Sequence, residues 1–331
     1  MGIRLLHRLQ PIFVLLALAL MLLLLQSQWE ELQSHRWQLD PLWFAVAAGA
    51  TVAAWSIEIL LWQQLLQLVG GRLPWGTAAR IWFLSAIVRY LPGNIWQPLS
   101  ITLLAQRHQV RPEATLASVA LYQVITLLAV APIAAFYFAL TRNWGLLNDF
   151  LQEGTPWLAG LALLPLLALI AQPNWLLELL NWLLHRLGRA PLSVRLGRAS
   201  MLALVTVAMV DWVVWGGAFA ALAFAVSRYS VHELWALTPH LVALYCVAYA
   251  VGFASLLTPS GLGMREGALY LLLAPLLGGG TTTLLALAMR IWTVVAELIA
   301  ASVSAVVGMR SQVAAPASLP AAETDLKEGI S

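Results

Sequence analysis

An all-α, polytopic membrane fold is the expectation from this sequence, and three features of it lead there. Of 331 residues, 61% are hydrophobic and 10% charged, against roughly 25% charged in an ordinary soluble domain. The apolar residues come in long blocks rather than one-faced stripes, and several blocks exceed the roughly 18–20 residues that cross about 30 Å of hydrocarbon. Many of the sixteen Trp residues lie near block ends, including Trp29, Trp37, Trp43, Trp75, Trp144, Trp157 and Trp235. There an amphipathic ring sits at the headgroup level.

Uninterrupted blocks run 11–26, 42–66, 114–140, 157–177, 200–226 and 283–308. These are expected to be six full spans. The first follows Arg4 and Arg8 and resembles a secretory signal. No small-x-small cleavage site follows at Gln26-Ser27-Gln28-Trp29, so it is read as a retained span. Two further blocks, 81–105 and 239–280, are broken by Pro92-Gly93 and by Pro259-Ser260-Gly261. Residues 1–310 are therefore one transmembrane domain. The Ala/Pro/Ser-rich tail 311–331 buries too little apolar surface to fold and is expected to be a disordered cytoplasmic extension.

Loop charges orient the spans. Arg4 and Arg8 place the N-terminus in the cytoplasm, and Glu30, Glu31 and Asp40 place the 27–41 loop outside. If 81–105 crossed fully, the most basic loop, with Arg186, Arg189, Arg195 and Arg198, would lie outside. If it enters from the cytoplasm and turns back at Pro92-Gly93, every basic loop stays inside. Ile81 to Leu91 is 11 residues, about 16 Å of helix and half a membrane. A re-entrant hairpin is the expectation, with a second one, entering from outside, over 239–280. Its first limb is long enough to span nearly the whole core. Pseudo-halves 1–140 and 157–308 then each read span, span, hairpin, span. An odd number of crossings per half inverts the second, and interrupted segments at matching positions point to a transporter's central site.

Few ionisable groups lie inside these segments: Glu58, Arg89, Asp211, Arg265, Glu266, Arg290 and Glu297. Each costs at least about 2.5 kcal/mol at the centre of a lipid-facing helix, so each should face protein or a wet cavity. Glu58, Asp211, Arg290 and Glu297 are expected as intramembrane charge partners, equally suited to holding helices together. Arg290 and Glu297 are seven apart, on one helix face but about 10 Å apart along it, and need other partners. Pro92 and Gly93 free backbone groups at bilayer depth, tolerated only inside protein or beside water. A helix restarting near Asn94 aims its N–H groups into such a space, and Arg89 adds a bidentate cation suited to phosphate. Pro259, Gly261 and Gly263 form the matching turn ahead of Arg265 and Glu266. Candidate headgroup contacts are thus Arg89, Asn94, Trp96, Gln97, Arg265 and Glu266, with Pro92, Gly93, Pro259, Gly261 and Gly263 as turn or hinge positions. The plainer reading makes Arg89 a structural arginine paired with Glu58, and Arg265 and Glu266 ordinary helix-start charges. Tyr122 and Gln123 read as packing residues.

Several classes are excluded or unsupported. There is no G-x-G-x-x-G, P-loop or H-E-x-x-H motif. Six scattered histidines lack ligand spacing, so no metal site is readable. The lone Cys246 cannot form an intrachain disulfide. No cofactor and no nucleic-acid partner is expected.

Arg89-Tyr90-Leu91-Pro92-Gly93-Asn94-Ile95-Trp96 resembles the K/R-Y-[IL]-P-G-x-x-W segment of the lysylphosphatidylglycerol synthase transmembrane-region family, the flippase-like domain. Thr258-Pro259-Ser260-Gly261-Leu262-Gly263-Met264-Arg265-Glu266 is similar to that family's P-x-P-G-G-L-G-x-x-E segment, with Ser260 in place of the first glycine. Order, spacing and layout agree over roughly residues 10–310. The resemblance implies a lipid-handling protein of the bacterial inner membrane and highlights Arg89, Pro92, Gly93, Trp96, Pro259, Gly261, Gly263 and Glu266. The sequence ends without the soluble aminoacyl-transferase domain of full-length synthases, so synthase activity is not expected. The leading expectation is a lipid translocase or flippase for an anionic or isoprenoid-type lipid. Phospholipid, aminoacyl lipid, polyprenyl-linked lipid and hopanoid all remain as substrates, and envelope-biosynthesis enzymes are candidate partners. The rivals are a membrane-embedded lipid-modifying transferase and a non-catalytic scaffold of an envelope pathway.

Overall fold

In a computed structural model, the described residues are 39–90, 95–142, 163–186, 188–227, 229–254 and 261–313, with Gln26, Gln33, Gly145 and Leu161. They are helical, with no β-strand among them. All of the expected span 11–26 but Gln26, and the turn residues Pro92, Gly93, Asn94 and Pro259, lie outside this set.

The central pair is α1 (Pro41–Leu68) and α8 (Arg198–Val226). Asp40 caps α1, its Oδ1 accepting from the Leu42 N–H at 2.9 Å, and Pro41 occupies the first turn, where no N–H is needed. The Asp40 N–H donates to the Ala225 carbonyl at 2.8 Å, so the start of α1 meets the end of α8 and the two run antiparallel. Trp62, Leu65, Leu66, Phe219 and Ala223 are fully or almost fully buried in this region.

The first broken segment is α2 (Trp75–Ala86), a 3₁₀ turn (Ile87–Tyr90) and α3 (Trp96–Gln106). Its two outer ends meet. A Cβ on Gly71, before α2, would lie 3.0 Å from the Val110 side chain, after α3. The segment therefore returns to the end of the bundle from which it started. The helical path tightens at Ile87, ahead of the proline. Next come α4 (Pro112–Leu128) and α5 (Val130–Thr141), a near-continuous path broken at Ala129, three residues before Pro132, whose ring disturbs the ladder one turn back.

Residues 164–186 differ from the expected span and loop. A helix of 8 residues, α6 (Leu164–Ala171), stops before Pro173. The supposed loop after it begins as a second helix, α7 (Asn174–Arg186).

Helix α9 (Val231–Ala254) starts eight residues earlier than the apolar block suggested. The Ser230 N–H donates to Glu233 Oε2 at 2.7 Å and the Glu233 N–H to Ser230 Oγ at 3.3 Å, a reciprocal cap that starts the helix outside the block. Pro239 is carried inside it. Helix α10 (Met264–Leu277) packs back along α9, and α11 (Gly279–Val313) runs 35 residues, three of them beyond the boundary drawn for the tail. Trp292 of α11 meets Phe44 and Thr51, and Glu297 meets Arg89, so α11 runs parallel to α1 and begins at the Asp40 end. The α9–α10 hairpin thus opens to the Asp40 end and the α2–α3 hairpin to the opposite one.

By length and composition, 41–68, 112–141, 198–226, 231–253 and 279–307 are each able to cross a membrane. The molecule is a multi-pass, all-α membrane protein. One end carries Arg72, Arg107, Arg111, Arg186, Arg189, Arg195 and Arg198; the other carries Asp40, Arg142 and Glu233. The arginine-rich end is the basic end.

Candidate functional site: a charged, aromatic-lined cavity

Both broken segments deliver side chains to one hollow. A cavity of about 250 Å³ lies between α1, α2, α3, α4, α8, α9 and the start of α10. Glu58, Arg89, Gln97, Asp211 and Arg265 line it, with Trp82, Trp212, Trp215, Tyr122 and Tyr249 as aromatic walls. A smaller hollow of about 30 Å³ shares Glu58, Arg89, Trp215, Tyr249 and Arg265 with it and adds Arg290 and Glu297. A span helix hides such groups only because its other faces, such as Leu60 and Val52 of α1, are apolar and exposed to lipid.

Glu58 is held by aromatic donors. Trp215 Nε1–H donates to its Oε1 at 2.9 Å and Trp82 Nε1–H to its Oε2 at 3.2 Å. The direct Glu58–Arg89 ion pair of the plainer reading is not among the ion pairs of the described residues. Arg89 Nη1 instead reaches Glu297 Oε1 at 3.0 Å, joining the 3₁₀ turn to α11 across 208 positions. The neighbouring rings lock the indoles: Trp82 lies edge-on to Tyr122 at 5.1 Å, and Trp55 to Trp215 at 6.3 Å.

The second segment is built locally. Arg265 Nη2 lies 3.2 Å from Glu266 Oε1, and Arg290 Nη1 lies 3.7 Å from the same oxygen. Glu266 Oε2 accepts the Gly263 N–H at 2.8 Å, so one carboxylate caps α10 and balances two guanidiniums. Arg265 also sits over the Tyr249 ring, 5.6 Å from its centroid. Gly261 and Gly263 have φ of +67° and +84°. A Cβ on Gly261 would stand 2.8 Å from the Gly252 carbonyl oxygen, and one on Gly252 only 2.7 Å from Arg265 Cβ. Two bare backbones therefore touch, and this contact sets Arg265 into the cavity wall.

Asp211, on α8, is 3% exposed, and its Oδ1 has no hydrogen-bond partner among the described residues. It lines the cavity on the wall that also carries Trp212, whose Nε1–H is spent on the Thr126 carbonyl at 2.7 Å. Of the candidate headgroup contacts, Arg89, Gln97 and Arg265 line the larger cavity, while Glu266 holds the arginines from behind. Trp96 opens α3, 37% exposed and outside the cavity wall. Trp82, Trp215 and Tyr249 were not singled out from the sequence. Trp82 and Trp215 sit in mid-helix rather than at a block end, and that position was the available signal. Tyr122 and Gln123, expected as packing residues, line the cavity. Among the described residues no three His, Cys, Asp or Glu side chains group as a metal site.

The fold is that of a multi-pass helical membrane protein, and its bundle encloses a charged hollow. The particular family is shown by a match to the model described as "Lysylphosphatidylglycerol synthase TM region" over residues 11–319, and the chain belongs to it. It is a membrane protein of a lipid-related family. No curated protein matches the chain.

Proposed function

We propose that the protein moves an anionic or isoprenoid-type lipid between the leaflets of the bacterial inner membrane. The observation that carries this reading is the cavity itself: three arginines and three carboxylates from α1, the α2–α3 turn, α8, α10 and α11 line it and the smaller hollow beside it, with Glu266 behind the arginines. An ionised headgroup cannot cross hydrocarbon unaided, because leaving water without compensating partners is prohibitively costly. The arginines offer such partners. A phosphate entering beside Arg89 competes with Glu297 for the guanidinium, so the ion pair opens as the headgroup binds and closes as it leaves. The cavity wall includes Gln97, Pro98, Leu127 and Phe253, and Phe253 is 40% exposed on the outer surface. A tail could remain in hydrocarbon at this edge while the headgroup sits inside. Arg89, Gln97 and Arg265 are the proposed headgroup contacts, and Glu58 and Asp211 the groups that adjust the charge of the hollow.

The test is reconstitution of the purified chain in liposomes carrying a fluorescent anionic phospholipid or a fluorescent isoprenoid phosphate. Exchange between leaflets should exceed that of protein-free liposomes for at least one of them. Protein-free rates with both probes would overturn the proposal, and conversion of a labelled lipid to a new product would replace it with a transferase.

A further inference from the structure

Helix α7 has a face that the bundle does not cover. Its 13 residues amount to about 20 Å, too short to cross a bilayer. Both its ends are tied to the basic end. At its start the Leu196 N–H donates to Asn174 Oδ1 at 2.9 Å and Arg198 Nε–H to the Ala171 carbonyl at 2.9 Å, beside the first turn of α8. Just past its end Arg189 pairs with Glu113, in the first turn of α4, at 3.0 Å. A helix fastened to the starts of α8 and α4 runs across that end of the molecule rather than along a span.

Its side chains sort into three faces. Leu176, Leu177 and Leu184 are buried against the bundle. Asn174, Glu178, Asn181 and His185 form a polar face, on which Asn181 exchanges two hydrogen bonds with the backbone of Leu192, at 2.7 and 3.1 Å. Between them Trp175, Leu179, Trp182 and Leu183 recur at helical spacing, each 47–59% exposed. Cations flank this stripe. Arg186 stands 5.2 Å over the Trp182 ring, and Arg195 is exposed on the segment bound to the helix.

We propose that α7 is an interfacial helix, with the Trp175–Leu179–Trp182–Leu183 face sunk to the headgroup–acyl boundary of the leaflet at the basic end. Arg186 and Arg195 bind anionic phospholipid headgroups there. Tryptophan and leucine on one face with arginine at the rim suit that depth, and charge complementarity selects anionic over zwitterionic lipid. The proposal is independent of what the central cavity carries.

The test uses the full chain with a nitroxide at position 179 (L179C), in nanodiscs of phosphatidylcholine with or without phosphatidylglycerol. Cys246 is fully buried and does not compete for the label. A second label on the polar face (H185C) is the aqueous reference. The label at 179 should collide several-fold more with oxygen than with a nickel chelate, relative to 185. Phosphatidylglycerol should deepen and immobilise it, and R186Q/R195Q should abolish that response. Collision rates equal to those at 185 overturn the proposal, as does dipolar broadening from a second copy. Immersion that ignores phosphatidylglycerol overturns the anionic headgroup contact.

Discussion

The two broken segments reach the same cavity by different constructions. The second is closed mainly by its own residues: Arg265, Glu266 and Gly263 lie within four residues, and the Gly252–Gly261 contact fixes the turn against its own first limb, with Arg290 of α11 added at 3.7 Å from Glu266. The first depends on a distant element, since Arg89 is fastened to Glu297 of α11. A hairpin closed mainly by its own residues depends less on its neighbours. A segment fastened to other elements, at Arg89 to Glu297 and at Trp82 to Glu58, changes when those contacts change.

The contrast is sharpest at Gly261. A β-branched residue there meets both a left-handed backbone and a 2.8 Å approach to the Gly252 carbonyl. Gly261→Val should cost roughly 3–5 kcal/mol, read as loss of monodisperse protein and a lower melting temperature in detergent. Alanine at Gly49, where nothing lies within 4 Å, should leave melting unchanged. Glu297→Gln removes the 3.0 Å carboxylate partner of Arg89 and should cost about 3 kcal/mol, and R89Q/E297Q should regain most of it, because only breaking one side of a buried pair is expensive. Failure of the double variant to recover would mean the first segment is held by something other than this pair. Trp215→Phe removes one of two indole donors from Glu58 and should cost about 2 kcal/mol. Gln97→Leu should leave melting within about 0.5 kcal/mol of the parent, because Gln97 is half-buried on a cavity wall, yet slow lipid exchange.

Composition and block length carry the membrane class, because hydrocarbon imposes a length and a polarity on every span. Loop charge alone located the first hairpin, since only a returning segment keeps Arg72, Arg107 and Arg198 on one side. The start of α9 was missed although Ser230 and Glu233 signal it, because the apolar block begins later than the cap. Helix α7 was hidden for a related reason: Arg186 and the arginines after it drew it into a loop, while the spacing of Trp175, Leu179, Trp182 and Leu183 was there to be read. The partner of Arg89 was not legible at all. Glu58 and Glu297 are both carboxylates on apolar helices, and the choice depends on which indoles fold back onto Glu58.

The measurement that bears most directly on lipid passage through the cavity is leaflet exchange by a plugged variant. Ala250 lines the cavity on α9, and Ala250→Phe places a ring inside it. In proteoliposomes the variant should lose at least about tenfold in exchange rate, equivalent to about 1.4 kcal/mol of barrier, while melting within a few degrees of the parent. A correctly folded Ala250→Phe protein that exchanges lipid at the parental rate would show that the headgroup takes another route.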